Sequence, residues 1–176
     1  MLIIVEGVDG SGKTTLIKEL ANRLEELNIN YSIDTEALIN TKPNTENRVS
    51  SGVLVFNMLY MINANAVYIC DRSPISDIIY RTFDDYNVVI NLSLLFELWQ
   101  DHKSNMIMIH CDTAKSLELL TKRGDNNKIA FEKHKEIKYL YSQIMPLFNS
   151  LKYDFTTDNE FVNNIVSQIA EKFRGR

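Results

Sequence analysis

The sequence predicts an α/β protein of three layers, α/β/α, in which helices cover both faces of a five-stranded parallel sheet. Three observations carry that expectation. Runs such as Leu2-Ile3-Ile4-Val5 and Val67-Tyr68-Ile69-Cys70 are apolar throughout rather than alternating, as strands buried on both faces are. Segments of helical periodicity separate these runs, in the order of strand–helix–strand units. The 176 residues suffice for one sizeable core, so a single domain over 1–176 is expected.

The first strand, Leu2–Glu6, runs directly into Gly7–Thr14, GVDGSGKT. A helix follows Lys13, because Leu16, Leu20, Leu24 and Leu27 fall on one helical face. A second strand is expected at Tyr31–Thr35. Pro43 with Asn44 marks a loop, and a helix is expected around Val49–Asn63. The third strand, Val67–Asp71, ends in Asp71-Arg72-Ser73-Pro74, where Ser73 reads as an N-cap and Pro74 as the first residue of the next helix. A helix at Leu92–His102, a strand at Met106–Cys111 and a helix at Ala114–Lys122 come next. Gly124-Asp125-Asn126-Asn127-Lys128 is polar and glycine-led, the composition of a mobile loop. One long helix over Phe131–Phe148, a strand at Tyr153–Thr156 and a helix at Glu160–Phe173 complete the expectation.

Gly7–Thr14 fits the pattern G-x-x-x-x-G-K-[ST] between a strand and a helix, which is the context that pattern needs. Such a loop turns its backbone N–H groups inward around phosphates, and the helix start adds unpaired donors. Gly7, Asp9, Gly10, Ser11, Gly12, Lys13, Thr14 and Thr15 are therefore the expected contacts of ATP or GTP. Lys13 supplies a point charge for the β- and γ-phosphates, and the Thr14 hydroxyl a ligand for Mg²⁺. Asp71 and Arg72 end a sheet strand, where such folds bind ligands. Asp71 suits Mg²⁺ or a proton, and Arg72 suits an incoming anion. The competing reading of that pair is a surface ion pair.

Composition narrows the function classes. The net charge of −4 disfavours broad, sequence-independent DNA binding, although a local basic groove remains open. No apolar run has the length of a membrane span and the start has no basic signal-peptide opening, so a cytoplasmic protein without membrane partners is expected (host cytoplasm, if viral). Cys70 and Cys111 each end a buried strand and read as reduced thiols. His102, His110 and His134 lack metal-ligand spacing, so no zinc is expected.

GVDGSGKTT followed by DRSPISDIIYR resembles the thymidylate kinases and the wider deoxynucleoside and nucleoside-monophosphate kinases, P-loop proteins that transfer the terminal phosphoryl group of ATP with Mg²⁺. The resemblance runs from Leu2 to about Tyr141. It matches Asp9 to an acidic loop residue, Asp71-Arg72 to the Asp-Arg pair after the third strand, and Ser76 and Tyr80 to the following helix. Arg81 stands where that family has Gln. The resemblance implies a lid at about 122–130, beginning at Thr121-Lys122-Arg123-Gly124, with Arg123 closing on the transferring group beside Lys122 or Lys128. It implies Arg72 holding the acceptor and Asp9 touching its sugar hydroxyl. Glu36 is either a base or sugar ligand, or an exposed loop glutamate. The lid cations are alternatively a solvated helix end.

The chain departs from that family between Glu36 and Ala66, which is short and offers Arg48 alone as an acceptor-side arginine. A shortened acceptor side also suits a nucleoside, or a modified base or hydroxyl within DNA, and a viral or phage member. Phe56, Tyr60, Tyr80 and Phe83 either stack on a base or, as aromatics at helical spacing more often do, join the core. Leu92, Leu95, Phe96 and Trp99 form a stripe that packs on the sheet or pairs two copies in a homodimer. A non-enzymatic nucleotide switch is the other class, but Asn127-Lys128-Ile129-Ala130 lacks the Asn-Lys-x-Asp pattern that reads guanine.

Overall fold

The computed structural model describes residues 1–35, 51–83, 92–123, 128–158 and 160–174. Its sheet is wholly parallel, in the order β2-β3-β1-β4-β5. The strands are β1 (Leu2–Glu6), β2 (Tyr31–Asp34), β3 (Val67–Asp71), β4 (Met106–Cys111) and β5 (Leu151–Tyr153). The helices are α1 (Lys13–Glu26), α2 (Ser51–Asn63), α3 (Pro74–Arg81), α4 (Leu92–His102), α5 (Ser116–Arg123), α6 (Lys128–Glu132), α7 (His134–Ile144) and α8 (Phe161–Arg174). The three-layer α/β/α expectation holds.

β1 lies at the centre and explains the unbroken apolar runs. Leu2 and Ile4 face one core with α2, α3, α4 and α7, whereas Ile3 and Val5 face the other with α1 and α8. A strand that is buried on both faces has no polar side to alternate with. Of the α4 stripe, Leu95 and Trp99 are buried in the same core as Leu2 and Ile4, and Phe96 meets Phe148 edge-on. Cys70 and Cys111 are free and buried. Among the described residues no helix is long and apolar enough to cross a membrane.

Several expectations are corrected. Leu27 is not part of the α1 stripe: it caps the helix and is exposed, while Leu16, Leu20 and Leu24 are wholly buried. The last strand is Leu151–Tyr153 rather than Tyr153–Thr156, because Asp154 begins a turn whose side chain accepts from Thr156 N and Oγ1. The long helix over Phe131–Phe148 is two helices broken at Lys133, followed by a 3-10 turn at Met145–Phe148. Pro146 has no N–H to continue the α-helical ladder there. Phe56 and Tyr60 are exposed rather than core, whereas Tyr80 and Phe83 pack partly buried against it. β2 ends one residue early, and α5 starts two residues late.

Candidate active site

The carboxyl ends of β1, β3 and β4 meet at the loop that joins β1 to α1. Gly10 has φ 79° and Gly12 φ 93°, a region side chains resist. A Cβ on Gly10 would lie 2.2 Å from the Ser116 carbonyl oxygen, and one on Gly12 would lie 2.6 Å from the Phe155 ring. The loop is therefore clamped between the start of α5 and the turn after β5. Gly10→Ala meets both a wrong φ and an immovable backbone oxygen, together costing about 2–3 kcal/mol. Its melting temperature should fall by about 5–10 °C, and added Mg-ATP, which should raise the wild-type midpoint, should leave the variant's unchanged.

Lys13 opens α1, and its side chain turns back into the loop with 7% exposure. Nζ donates to the carbonyl oxygens of Gly7 at 2.9 Å and Val8 at 3.0 Å, and lies 3.9 Å from Asp9 Oδ1. Burial, reinforced by the Arg72 charge, pushes its pKa down from 10.5 to about 8 against the pull of Asp9 and Asp71. An anion beside the ammonium reverses that shift. Triphosphate binding above pH 8 should therefore take up a proton, and affinity should fall with rising pH by up to about tenfold per unit. Calorimetry in buffers of different ionisation enthalpy checks this: binding heat independent of the buffer at pH 9 would contradict it.

β1 and β3 are neighbours with Val5 opposite Asp71, so β3 delivers Asp71 and Arg72 beside the loop. A cleft of about 490 Å³ is lined by Asp9, Lys13, Thr14, Asp71, Arg72 and Arg123, with the rest of the loop, Gly10, Ser11, Gly12 and Thr15, completing its floor. Gly7 lies just behind, its carbonyl held by Lys13. Asp71 Oδ1 is buried with no hydrogen-bond partner among the described residues. That orphaned oxygen and the Thr14 hydroxyl on the same cleft are hard donors of the kind Mg²⁺ takes, so the residues fit the ion. No cluster of three or more His, Cys, Asp or Glu suited to a metal exists among the described residues. An ion here would take its remaining ligands from phosphate oxygens and water.

Arg72 is not half of a surface ion pair. Its side chain is 18% exposed, and its backbone adopts φ 83°. Nη1 donates to Ser76 Oγ at 3.1 Å and Tyr141 Oη at 3.3 Å, and Nη2 donates to Asp9 Oδ1. The guanidinium also lies 5.0 Å from the centre of the Tyr80 ring. Asp9 therefore faces both Lys13 and Arg72. Arg123, exposed at the end of α5, lines the same cleft. Glu36, Arg48 and residues 124–127 of the expected lid lie outside the described residues, as does the Lys128 side chain.

Two residues of this site escape a reading of the sequence. Glu6 is wholly buried at the end of β1, and Tyr141 is wholly buried on α7; Tyr141 Oη donates directly to Glu6 Oε2 at 3.1 Å and accepts from Arg72 Nη1. The signal for Glu6 is a lone carboxylate closing an apolar strand immediately before the loop. Tyr141 carries no comparable signal.

A sequence-family model described as the viral superfamily 1 RNA helicase core domain matches residues 3–71, less than half of the chain. That span runs from β1 through the loop to Asp71. No curated protein matches the chain. Among solved structures, the chain is similar to the YorR protein of Bacillus subtilis, crystallised in complex with phosphorylated GDP. The two are 21% identical, the alignment covers 99% of this chain and 96% of that one, and the TM-score is 0.63. Strand order, loop and likeness agree that this chain has the P-loop nucleoside triphosphate-binding fold.

Proposed function

We propose that the chain is an ATP-dependent phosphotransferase acting on a nucleotide, of the thymidylate kinase kind that its motifs resemble. One observation carries the reading. Two cations of different character, Lys13 in the loop and Arg72 at the end of β3, line a single cleft with Asp9 between them. The loop lysine serves any bound triphosphate; a second, planar cation held in the same cleft suits a second anion as acceptor.

In this reading Lys13 and the loop amides hold the donor phosphates. Thr14 and Asp71 hold Mg²⁺, which when bound neutralises charge on the phosphate oxygens. Arg72 holds the acceptor through its planar fork, preset by Ser76, Tyr141 and the Tyr80 ring. Asp9, released from Arg72 as the acceptor's anion takes its place, is free to accept from a sugar hydroxyl. Arg123 closes on the transferring group and excludes water. A monophosphate acceptor, already charged, is favoured over a nucleoside, because the planar fork of Arg72 suits an anion and Asp71 in this reading is engaged with Mg²⁺.

The test is coupled ADP release with a panel of nucleoside monophosphates, nucleosides and DNA. Acceptor-dependent ADP from a monophosphate is expected, and its absence with every acceptor sinks the reading. The helicase-core match over residues 3–71 supports a second reading, an NTPase driven by RNA. RNA-stimulated hydrolysis without phosphorylated product would select it.

A further inference from the structure

We propose that Glu6 is the positioning residue for Arg72, locking the Asp71-Arg72-Ser73 turn and, through Ser76 and Tyr141, the orientation of the guanidinium. What Arg72 binds rests on the kinase reading above; how Arg72 is held does not.

The Glu6 carboxylate has no exposure and four donors. Oε1 accepts from Ser73 N at 2.7 Å and Ser73 Oγ at 2.6 Å; Oε2 accepts from Ser76 Oγ at 2.6 Å and Tyr141 Oη at 3.1 Å. The first pair fixes the residue directly after Arg72, and Arg72 N donates to Val5 O at 2.9 Å on the other side. Arg72 is thus held at both ends in a left-handed conformation, φ 83°, that a non-glycine residue rarely adopts when free. Such strain persists where the surroundings over-determine it.

The second pair sets the direction of the hydroxyls. An ionised Glu6 accepts only, so Ser76 donates to it and the Ser76 oxygen is left to accept. Ser76 Oγ and Tyr141 Oη are 2.7 Å apart, which makes Tyr141 the donor to Ser76 or to Glu6. Both oxygens then turn lone pairs toward Arg72 Nη1, which donates to each. Two hydroxyls thus link Glu6 to Arg72, and this link dictates where the fork points.

Glutamine at this position has nearly the same shape and cannot serve. With its oxygen toward Ser73, its NH₂ meets Ser76 and reverses that hydroxyl. Turned the other way, its NH₂ meets the Ser73 N–H. In either case Arg72 loses an acceptor or its turn loses an anchor.

The experiment compares wild type, Glu6→Gln and Tyr141→Phe. Arginine-selective ¹⁵N NMR of the ligand-free protein reads rotation of the Arg72 guanidinium, assigned with Arg72→Lys. Glu6→Gln should speed that rotation by about tenfold, Tyr141→Phe by somewhat less. In turnover, Glu6→Gln should raise the acceptor KM by about tenfold and lower kcat, while Kd for Mg-ATP stays within about threefold. A folded Glu6→Gln protein with wild-type guanidinium rotation overturns the proposal. If Glu6→Gln does not fold, unchanged rotation in Tyr141→Phe does so. If wild type phosphorylates no acceptor, the kinase reading falls, and the NMR comparison still decides the role of Glu6.

Discussion

Lys13→Met is expected to weaken Mg-ATP binding by at least about a hundredfold while making the ligand-free protein more stable at pH 7. The two effects share one cause. The Lys13 ammonium is held in a site that disfavours its charge, with a pKa near 8 in place of 10.5. At about 1.4 kcal/mol per pH unit that gap is about 3 kcal/mol against the folded state. Methionine has similar reach and no charge. It forfeits the bonds to the Gly7 and Val8 carbonyls, so the net gain at pH 7 is about 1–2 kcal/mol.

The sign with pH follows from where each state holds its proton. Below pH 8 Lys13 is charged folded and unfolded, and the full penalty is present. Between 8 and 10.5 only the unfolded chain keeps the proton, so wild-type stability gains from this residue as pH rises. Between pH 7 and pH 9.5 the balance should therefore move by about 2 kcal/mol toward wild type, cancelling or reversing the advantage of Lys13→Met. Urea unfolding of both proteins at both pH values measures it. Burial pushes the thiols of Cys70 and Cys111 upward; the Lys13 charge pulls Cys111 back only to about 12, so both thiols stay protonated up to pH 9.5 with or without Lys13 and leave the difference unchanged. A Lys13→Met protein that is less stable at pH 7, or that binds Mg-ATP as wild type does, contradicts the account.

The loop and the Asp71-Arg72 pair were legible in the sequence because their chemistry is local. A strand, a glycine pattern and a helix start lie within Leu2–Leu27, and Ser73-Pro74 announces α3 beside the pair. The support beneath Arg72 was not legible, because Glu6 and Tyr141 are separated by 135 residues and meet only once α7 is laid across the sheet. β5 was misplaced for a different reason. Leu151 and Lys152 are exposed on an edge strand, so no unbroken apolar run marks them. The neighbouring Asp154-Phe155-Thr156 looks strand-like, but it is a turn that presses Phe155 onto Gly12. The break at Lys133 has neither Gly nor Pro to announce it. A loop that binds phosphate can be read from spacing, whereas the residues that aim its partner cation come from distant elements.

Arg72→Lys should lower the rate of phosphoryl transfer by about three orders of magnitude with little change in Mg-ATP affinity, and Arg72→Gln should do the same to the rate but differ in pH dependence. Lysine keeps the charge and loses the fork. It cannot bond Ser76, Tyr141 and Asp9 together or lie flat over Tyr80. Glutamine loses the charge as well, and that charge, after burial, is the largest cause depressing the Lys13 pKa. Without it, and with Asp9 released toward Lys13, the Lys13 pKa rises. The alkaline fall in Mg-ATP affinity should therefore move to higher pH in Arg72→Gln and stay near pH 8 in Arg72→Lys. Affinity measured from pH 7 to 10 on the three proteins separates the two contributions of Arg72, its geometry toward the acceptor and its field on Lys13. Coincident pH profiles would show that the two cations do not sense each other, and a wild-type rate in Arg72→Lys would remove Arg72 from the transfer step.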